Sequence, residues 1–158
     1  MNRRLTRAGN RFAVWLYRPF DGRFSGGQVL MITSPGRRSG LPRATCVRYL
    51  DAGEGYLVWG SGSGARSDPD WFRNLRGSER SQVRIGSASF PVQAQELTDA
   101  ARDRVWQDVV LAQVPSVARY ARRAGRPIPV AVLVRRPAAG QAPGRPSGAD
   151  AGEAPTAG

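Results

Sequence analysis

The chain has 158 residues, the size of one domain, and its 41% hydrophobic content with four tryptophans suits a packed core. Twenty-four basic residues stand against 12 acidic ones for a formal net charge of +12, and every basic side chain is arginine. With no histidine, no lysine and one cysteine, Cys46, several chemistries are excluded: Ser-His-Asp and Cys-His catalysis, a lysine Schiff base, histidine-ligated metal, an internal disulfide and multi-cysteine metal centres.

An enzyme built this way needs a bound cofactor to carry reactive electrons, while the protein supplies orientation and electrostatics. The all-arginine set favours forked contacts to phosphate or carboxylate. GC-rich coding would produce the same bias.

Residues 1–27 form a first unit. Leu5, Phe12, Trp15 and Leu16 recur near helical spacing among Arg3, Arg4, Arg7, Arg11 and Arg18, which describes a basic amphipathic helix. It fits either peripheral contact with the inner face of a membrane or packing on the domain with solvated arginines. Its apolar run, Phe12 to Tyr17, is shorter than the roughly 7–15 residues of a signal-peptide core. No segment approaches the ~20 apolar residues of a membrane span. A cytoplasmic location is expected.

The second unit, residues 28–136, is β-rich. Val29 to Thr33 reads as a buried strand, bounded by Gly26-Gly27 and Ser34-Pro35-Gly36. Arg43 to Leu50 and Gly55 to Trp59 follow as a hairpin around Asp51-Ala52-Gly53-Glu54. Asp68-Pro69 signals a helix start, with Asp68 as cap, leading into Trp71 to Leu75. Gln82 to Ile85 and Phe90 to Leu97 pair around Gly86-Ser87. Thr98 or Asp99 caps a second helix whose apolar stripe is Val105, Trp106, Val109, Val110 and Ala112. Pro115 opens a third helix ending near Gly125, and Pro129 to Arg135 is the last strand. About six mostly antiparallel strands with a few short helices predict a barrel-like α+β domain. Residues 137–158, rich in Pro, Gly, Ala and Ser, are expected to form a disordered tail.

Two loops are candidate sites. Ser34 to Arg43 is longer than most hairpin connections. Its Gly36 and Gly40 let amides converge on an anion, and Arg37, Arg38 and Arg43 add forked donors. A glycine turn carrying solvated arginines is the plainer reading. Trp59 to Ala65 leaves a strand towards a helix N-terminus, a place where small residues can admit a ligand closely or simply be flexible.

Three ordered segments resemble one family. Ile32 to Arg43 is similar to a T-x-G-R-[KR]-[ST]-G-x-P-R element, Pro69 to Leu75 to a P-x-W-[YF]-x-N-L helix, and Tyr120 to Pro129 to a closing Y-x-x-x-x-G-R-x-I-P segment. These are motifs of the deazaflavin-dependent nitroreductases, and the resemblance spans roughly residues 10 to 135. It implies a split β-barrel that uses coenzyme F420, a deazaflavin with a phosphate and an oligoglutamate tail, with FMN as the alternative. It also implies hydride transfer from the reduced coenzyme to a small organic acceptor: a quinone, nitro or enone compound. On this resemblance Arg37, Arg38, Ser39 and Arg43 hold the anionic tail. Cys46, Val47, Arg48, Trp59 and Ser61 border the ring, and Trp71 and Asn74 close the pocket. Tyr120 and Ser61 are the candidates for the substrate side. No metal is implied.

The chain departs from the family pattern in two places. Gly62 stands where many relatives carry lysine, with Arg66 the nearest replacement charge. Val114 and Val117 stand where nitro-reducing relatives carry tyrosines, leaving Tyr120, which points towards a more apolar acceptor than a nitro compound. Barrels of this type often pair, so a homodimer that covers strand edges is compatible with the resemblance. Rival readings are a basic nucleic-acid-binding module, suggested by the +12 charge, and a flavin- or haem-binding barrel without this activity. Against the first, aromatics and arginines do not interleave on one strand face as a stacking platform requires, so no specific nucleic acid is expected.

Overall fold

The computed structural model describes residues 28–53 and 55–137. The predicted N-terminal helix, Glu54 and all of the predicted tail except Pro137 lie outside the described residues.

Strand β1 (Val29–Pro35) alternates half-buried and buried side chains, with Leu30 and Ile32 pointing into the core. That is the period of a strand with one face covered. It pairs antiparallel with β2 (Pro42–Arg48), in register from Val29 opposite Arg48 to Pro35 opposite Pro42. The ladder therefore runs further into the arginine-rich segment than the sequence suggests, and the loop proper shrinks to residues 36–41. Pro42 is tolerated because β2 is an edge strand and needs no second row of donors.

Seven strands are present among the described residues, one more than expected. The extra one arises at Tyr49. There the chain leaves β1, with the Tyr49 amide donating to the Gln28 carbonyl at 3.1 Å, and Leu50 then starts β3 (Leu50–Asp51) against β4 (Gly55–Trp59). The other strands are β5 (Ser81–Ile85), β6 (Ala88–Leu97) and β7 (Val130–Arg135), and the sheet order is β2-β1-β5-β6-β7-β4-β3. β2 and β3 occupy opposite ends of that order, yet only Tyr49 separates them in sequence. A one-residue link cannot cross a flat sheet, so the sheet must curl until its edges meet. The result is the expected split barrel.

The two faces of the sheet carry two cores. Inside lie Leu30, Ile32, Val58, Val83, Phe90, Val92, Ala131 and Leu133, plugged at one end by Phe72 and Leu75 of helix α1 (Asp70–Arg76). Fully burying side chains of this size contributes roughly 1.5–3 kcal/mol each. Outside, Leu57, Trp59 and Val130 meet Trp106, Val110, Val114, Val117 and Ala124 of the helical layer. Alternation along β4 and β7 thus feeds both cores from the same strands.

Two helical expectations need correction. Asp68 does not cap α1. Pro69 occupies the cap position, in extended backbone, while the Asp68 carboxylate binds Arg126 at 2.7 Å and Arg76 at 3.0 Å. Two guanidiniums within reach outcompete the helix amides. The second helix is not one regular stripe either. α2 (Asp99–Val105) passes into a π-helical turn at Trp106–Leu111. The wider turn shifts the register, so Trp106 and Val110 are buried, Val105 and Val109 only partly, and Ala112 faces solvent. A 3₁₀ turn at Pro115–Val117 leads into α3 (Ala118–Ala124), closed by Gly125 in the left-handed conformation at φ +62°. No helix of the described residues is long and apolar enough to cross a membrane.

Candidate functional site

A cleft of about 950 Å³ opens between the end of β2, the loop after β4, the start of α1 and the 3₁₀ turn with α3. Cys46, Val47 and Arg48 form one wall, Trp59 and Ser61 a second, Trp71 a third, and Ser116, Val117 and Tyr120 a fourth. Strand β4 turns Trp59 outward to reach this space, and the α1 start brings Trp71 edge-on to the core ring of Phe72, with centroids 5.3 Å apart.

The loop from Gly60 to Pro69 owes its shape to left-handed residues. Gly62, Ser63 and Gly64 follow one another at φ +52°, +56° and +84°. Two turn bonds hold them, Gly64 amide to Ser61 carbonyl at 2.9 Å and Ala65 amide to Gly62 carbonyl at 3.2 Å. A Cβ on Gly64 would come within 2.9–3.0 Å of the Arg123 side chain, so the loop lies directly on α3. Glycine is required there for both reasons.

The charge of the cleft is lopsided. Among the described residues Arg48, Arg66, Arg73, Arg119 and Arg123 line it, against only Asp68 and Asp70. Both aspartates are already ion-paired, Asp68 to Arg126 and Arg76 and Asp70 to Arg37. The cleft therefore presents net positive charge beside aromatic walls. Arg119 stacks 4.9 Å from the Tyr120 ring centre and donates to its hydroxyl oxygen at 3.0 Å. Since that oxygen accepts, its own hydrogen is left to point elsewhere. Burial pushes the Cys46 thiol up to about 11, so it stays protonated at neutral pH and serves as wall rather than nucleophile.

Of the residues singled out by sequence, the cleft brings together Cys46, Val47, Arg48, Trp59, Ser61, Trp71 and Tyr120. Arg37, Arg38, Ser39, Arg43 and Asn74 are not among its walls. Asn74, buried on α1, accepts from the Arg37 amide at 3.1 Å and from its guanidinium at 3.4 Å; the same guanidinium reaches Asp70 at 3.2 Å. Ser39 accepts from the Leu41 amide, and Arg38 and Arg43 are exposed. The arginine loop thus abuts the cleft at its Asp70 end. Arg73, Arg119 and Arg123 were not anticipated as lining residues, although the four-residue spacing of Arg119 and Arg123 puts both on one face of α3.

The family model for F420H(2)-dependent quinone reductases matches residues 9–135. The F420H(2)-dependent quinone reductase of Mycobacterium tuberculosis is 32% identical over 109 residues, covering 68% of this chain and 73% of that protein. A putative F420H(2)-dependent quinone reductase of Mycobacterium bovis is equally similar, 32% identical over the same 109 residues. Among solved structures, an F420-H2 dependent reductase (FDR-A) superposes with a TM-score of 0.58 at 24% identity, covering 66% of this chain and 92% of that one. A domain-swapped dimer superposes with a TM-score of 0.59 at 22% identity, covering 78% and 94%. Both structural likenesses bear on the split-barrel fold. The chain belongs to the F420H(2)-dependent quinone reductase family and is an oxidoreductase dependent on coenzyme F420.

Proposed function

We propose that the cleft holds reduced coenzyme F420 with its ring against Cys46, Val47, Arg48, Trp59 and Ser61, and that the acceptor is a quinone. The observation that carries this reading is the pairing of flat aromatic walls with a surplus of arginine in one cleft of about 950 Å³. A ring system needs the former and an anionic tail the latter. The donor set fits the coenzyme: five guanidiniums line the cleft, and both of its carboxylates are already neutralised. The tail would leave past Asp70 towards Arg37, Arg38, Ser39 and Arg43, while Trp71 closes the near side and Asn74 fixes the loop.

When bound, the reduced coenzyme supplies a hydride. The protein contributes placement in a site shielded from water. Trp59, Trp71 and Val117 exclude solvent. Arg119 and Arg123 supply positive charge where the reduced acceptor becomes anionic, and Tyr120, with its oxygen engaged by Arg119, has its proton available for the acceptor oxygen. Val117, which lines the cleft where nitro-reducing relatives carry tyrosine, supports a quinone over a nitro compound.

Titrating the purified protein with oxidised coenzyme tests the reading through quenching of its fluorescence. Saturation at micromolar coenzyme, with faster turnover of a small quinone than of a nitroaromatic of equal size, is the expected result. No binding at micromolar coenzyme refutes it. Pairing of two copies belongs to the same reading, supported by the similar domain-swapped dimer; a monomer in analytical ultracentrifugation removes that part. Contact of the N-terminal segment with an anionic membrane is likewise proposed, on its arginines, and failure to float with anionic liposomes removes it.

A further inference from the structure

Arg126 makes five side-chain hydrogen bonds near the cleft, and it is not one of the cleft's lining residues. It follows Gly125, whose left-handed turn sends the chain from α3 back under the loop after β4. Its Nε donates to the Ala65 carbonyl at 3.1 Å, and one terminal nitrogen donates to the carbonyls of Gly60 at 3.2 Å and Ser67 at 3.0 Å. The other terminal nitrogen meets Asp68 at 2.7 Å and the Pro127 carbonyl at 3.1 Å. The side chain is only 16% exposed.

The loop residues it grips, Gly60, Ala65, Ser67 and Asp68, bracket the left-handed turn whose other side faces the cleft. Asp68 continues outward to Arg76, which is tied to Glu96 on β6. Guanidinium, carboxylate, guanidinium and carboxylate thereby connect the loop to the barrel wall. Asp68 is the only acidic group on Arg126 among the described residues, and the remaining bonds go to carbonyls, so no single charge accounts for the arrangement.

We propose that Arg126 is a positioning residue for the coenzyme: acting from behind, it holds residues 60–68 in the one shape that leaves their outer side open to the ligand. This rests on the coenzyme occupying the cleft as described above. Only arginine satisfies the arrangement, because its planar fork addresses several carbonyls spread along a loop, whereas a lysine ammonium presents its donors from one point. Preorganisation of this kind lowers the cost of binding without touching the ligand.

The test compares full-length wild type with Arg126→Lys and Asp68→Asn in two measurements. Hydrogen exchange without coenzyme reads the loop, and fluorescence titration with oxidised F420 reads affinity. In Arg126→Lys, exchange at residues 61–67 should accelerate while the β-strand amides keep their protection. Coenzyme Kd should rise about tenfold, with kcat at saturating coenzyme held within about twofold. Asp68→Asn should accelerate loop exchange by less, since it leaves the carbonyl bonds intact. A folded Arg126→Lys protein with wild-type loop exchange, or with coenzyme Kd within about twofold of wild type, overturns the proposal. If that variant fails to fold, Asp68→Asn decides alone through the exchange measurement, and unchanged loop exchange there overturns it. Wild type that binds no F420 refutes the coenzyme placement instead, and the exchange measurement still judges the clamp.

Discussion

Two loops of this protein offer themselves to an anion, and they are built on opposite plans. The arginine loop, residues 36–41, displays cations but spends one of them: Arg37 is held by Asp70 and Asn74 of α1. The glycine–serine loop, residues 60–68, has one arginine of its own, Arg66, yet forms a wall of the cleft and is surrounded by arginines from α1 and α3. Charge written into a segment therefore does not say where that charge acts. A loop of small residues can be the better binding surface because other elements bring cations to it.

Gly64 is where the glycine–serine loop is most easily lost as a binding wall. Replacing it with valine sets a branched side chain at φ +84° against Arg123. Coenzyme affinity should fall about 100-fold in a fluorescence titration. An affinity near wild type would mean the loop is not the binding wall. Next comes Asn74→Ala, which leaves the Arg37 amide without its buried acceptor. It should cost about 1–3 kcal/mol by urea denaturation, and a loss below this range would show that the arginine loop is held by other contacts.

A double change of Arg38 and Arg43 to alanine asks whether the exposed cations of that loop and of the start of β2 meet the tail. Binding should weaken by about tenfold at low ionic strength and by less at high salt, because exposed charges are screened. Equal affinity at low salt would assign tail binding to the cleft arginines alone. Arg37→Ala should change stability by about 0.5 kcal/mol or less, since its pair with Asp70 is largely exposed; a larger loss in thermal melts would make Arg37 a structural clamp.

The smallest effect concerns Cys46. Its thiol is raised from 9.0 to about 11, so between those values the folded state keeps a proton that the unfolded state has released. Stability should therefore fall slightly as pH rises through this window, and Cys46→Ala should flatten that slope. Rapid alkylation at neutral pH would contradict the raised thiol.

Much of this was legible beforehand, for identifiable reasons. The hairpins announced themselves because their signals are local: Gly53 and Gly86 take the left-handed conformations that their turns require. Trp71 and Tyr120 lie in motif segments, and Trp59 follows from the resemblance as a whole. The sharing of Asp68 between Arg76 and Arg126 was not legible, and neither was the grip of Arg126 on Gly60 across 66 positions of sequence. Those depend on which strands become neighbours, and no periodicity encodes that. The π-helical turn escaped for a related reason: the packing of Trp106 and Val110 against β4 and β7 overrides the regular stripe of the segment.

Strand β7 carries a consequence for how the molecule comes into being. It is the last strand among the described residues, yet it sits between β4 and β6 and bonds to both. Until Val130–Arg135 has been synthesised, two long strand edges stay open, and the Gly60 amide lacks the Pro129 carbonyl that anchors its loop. The barrel and its cleft are therefore completed together, once β7 has been added. A ribosome that stalls before residue 130 leaves an unzipped sheet, with two unpaired strand edges free to find the wrong partner.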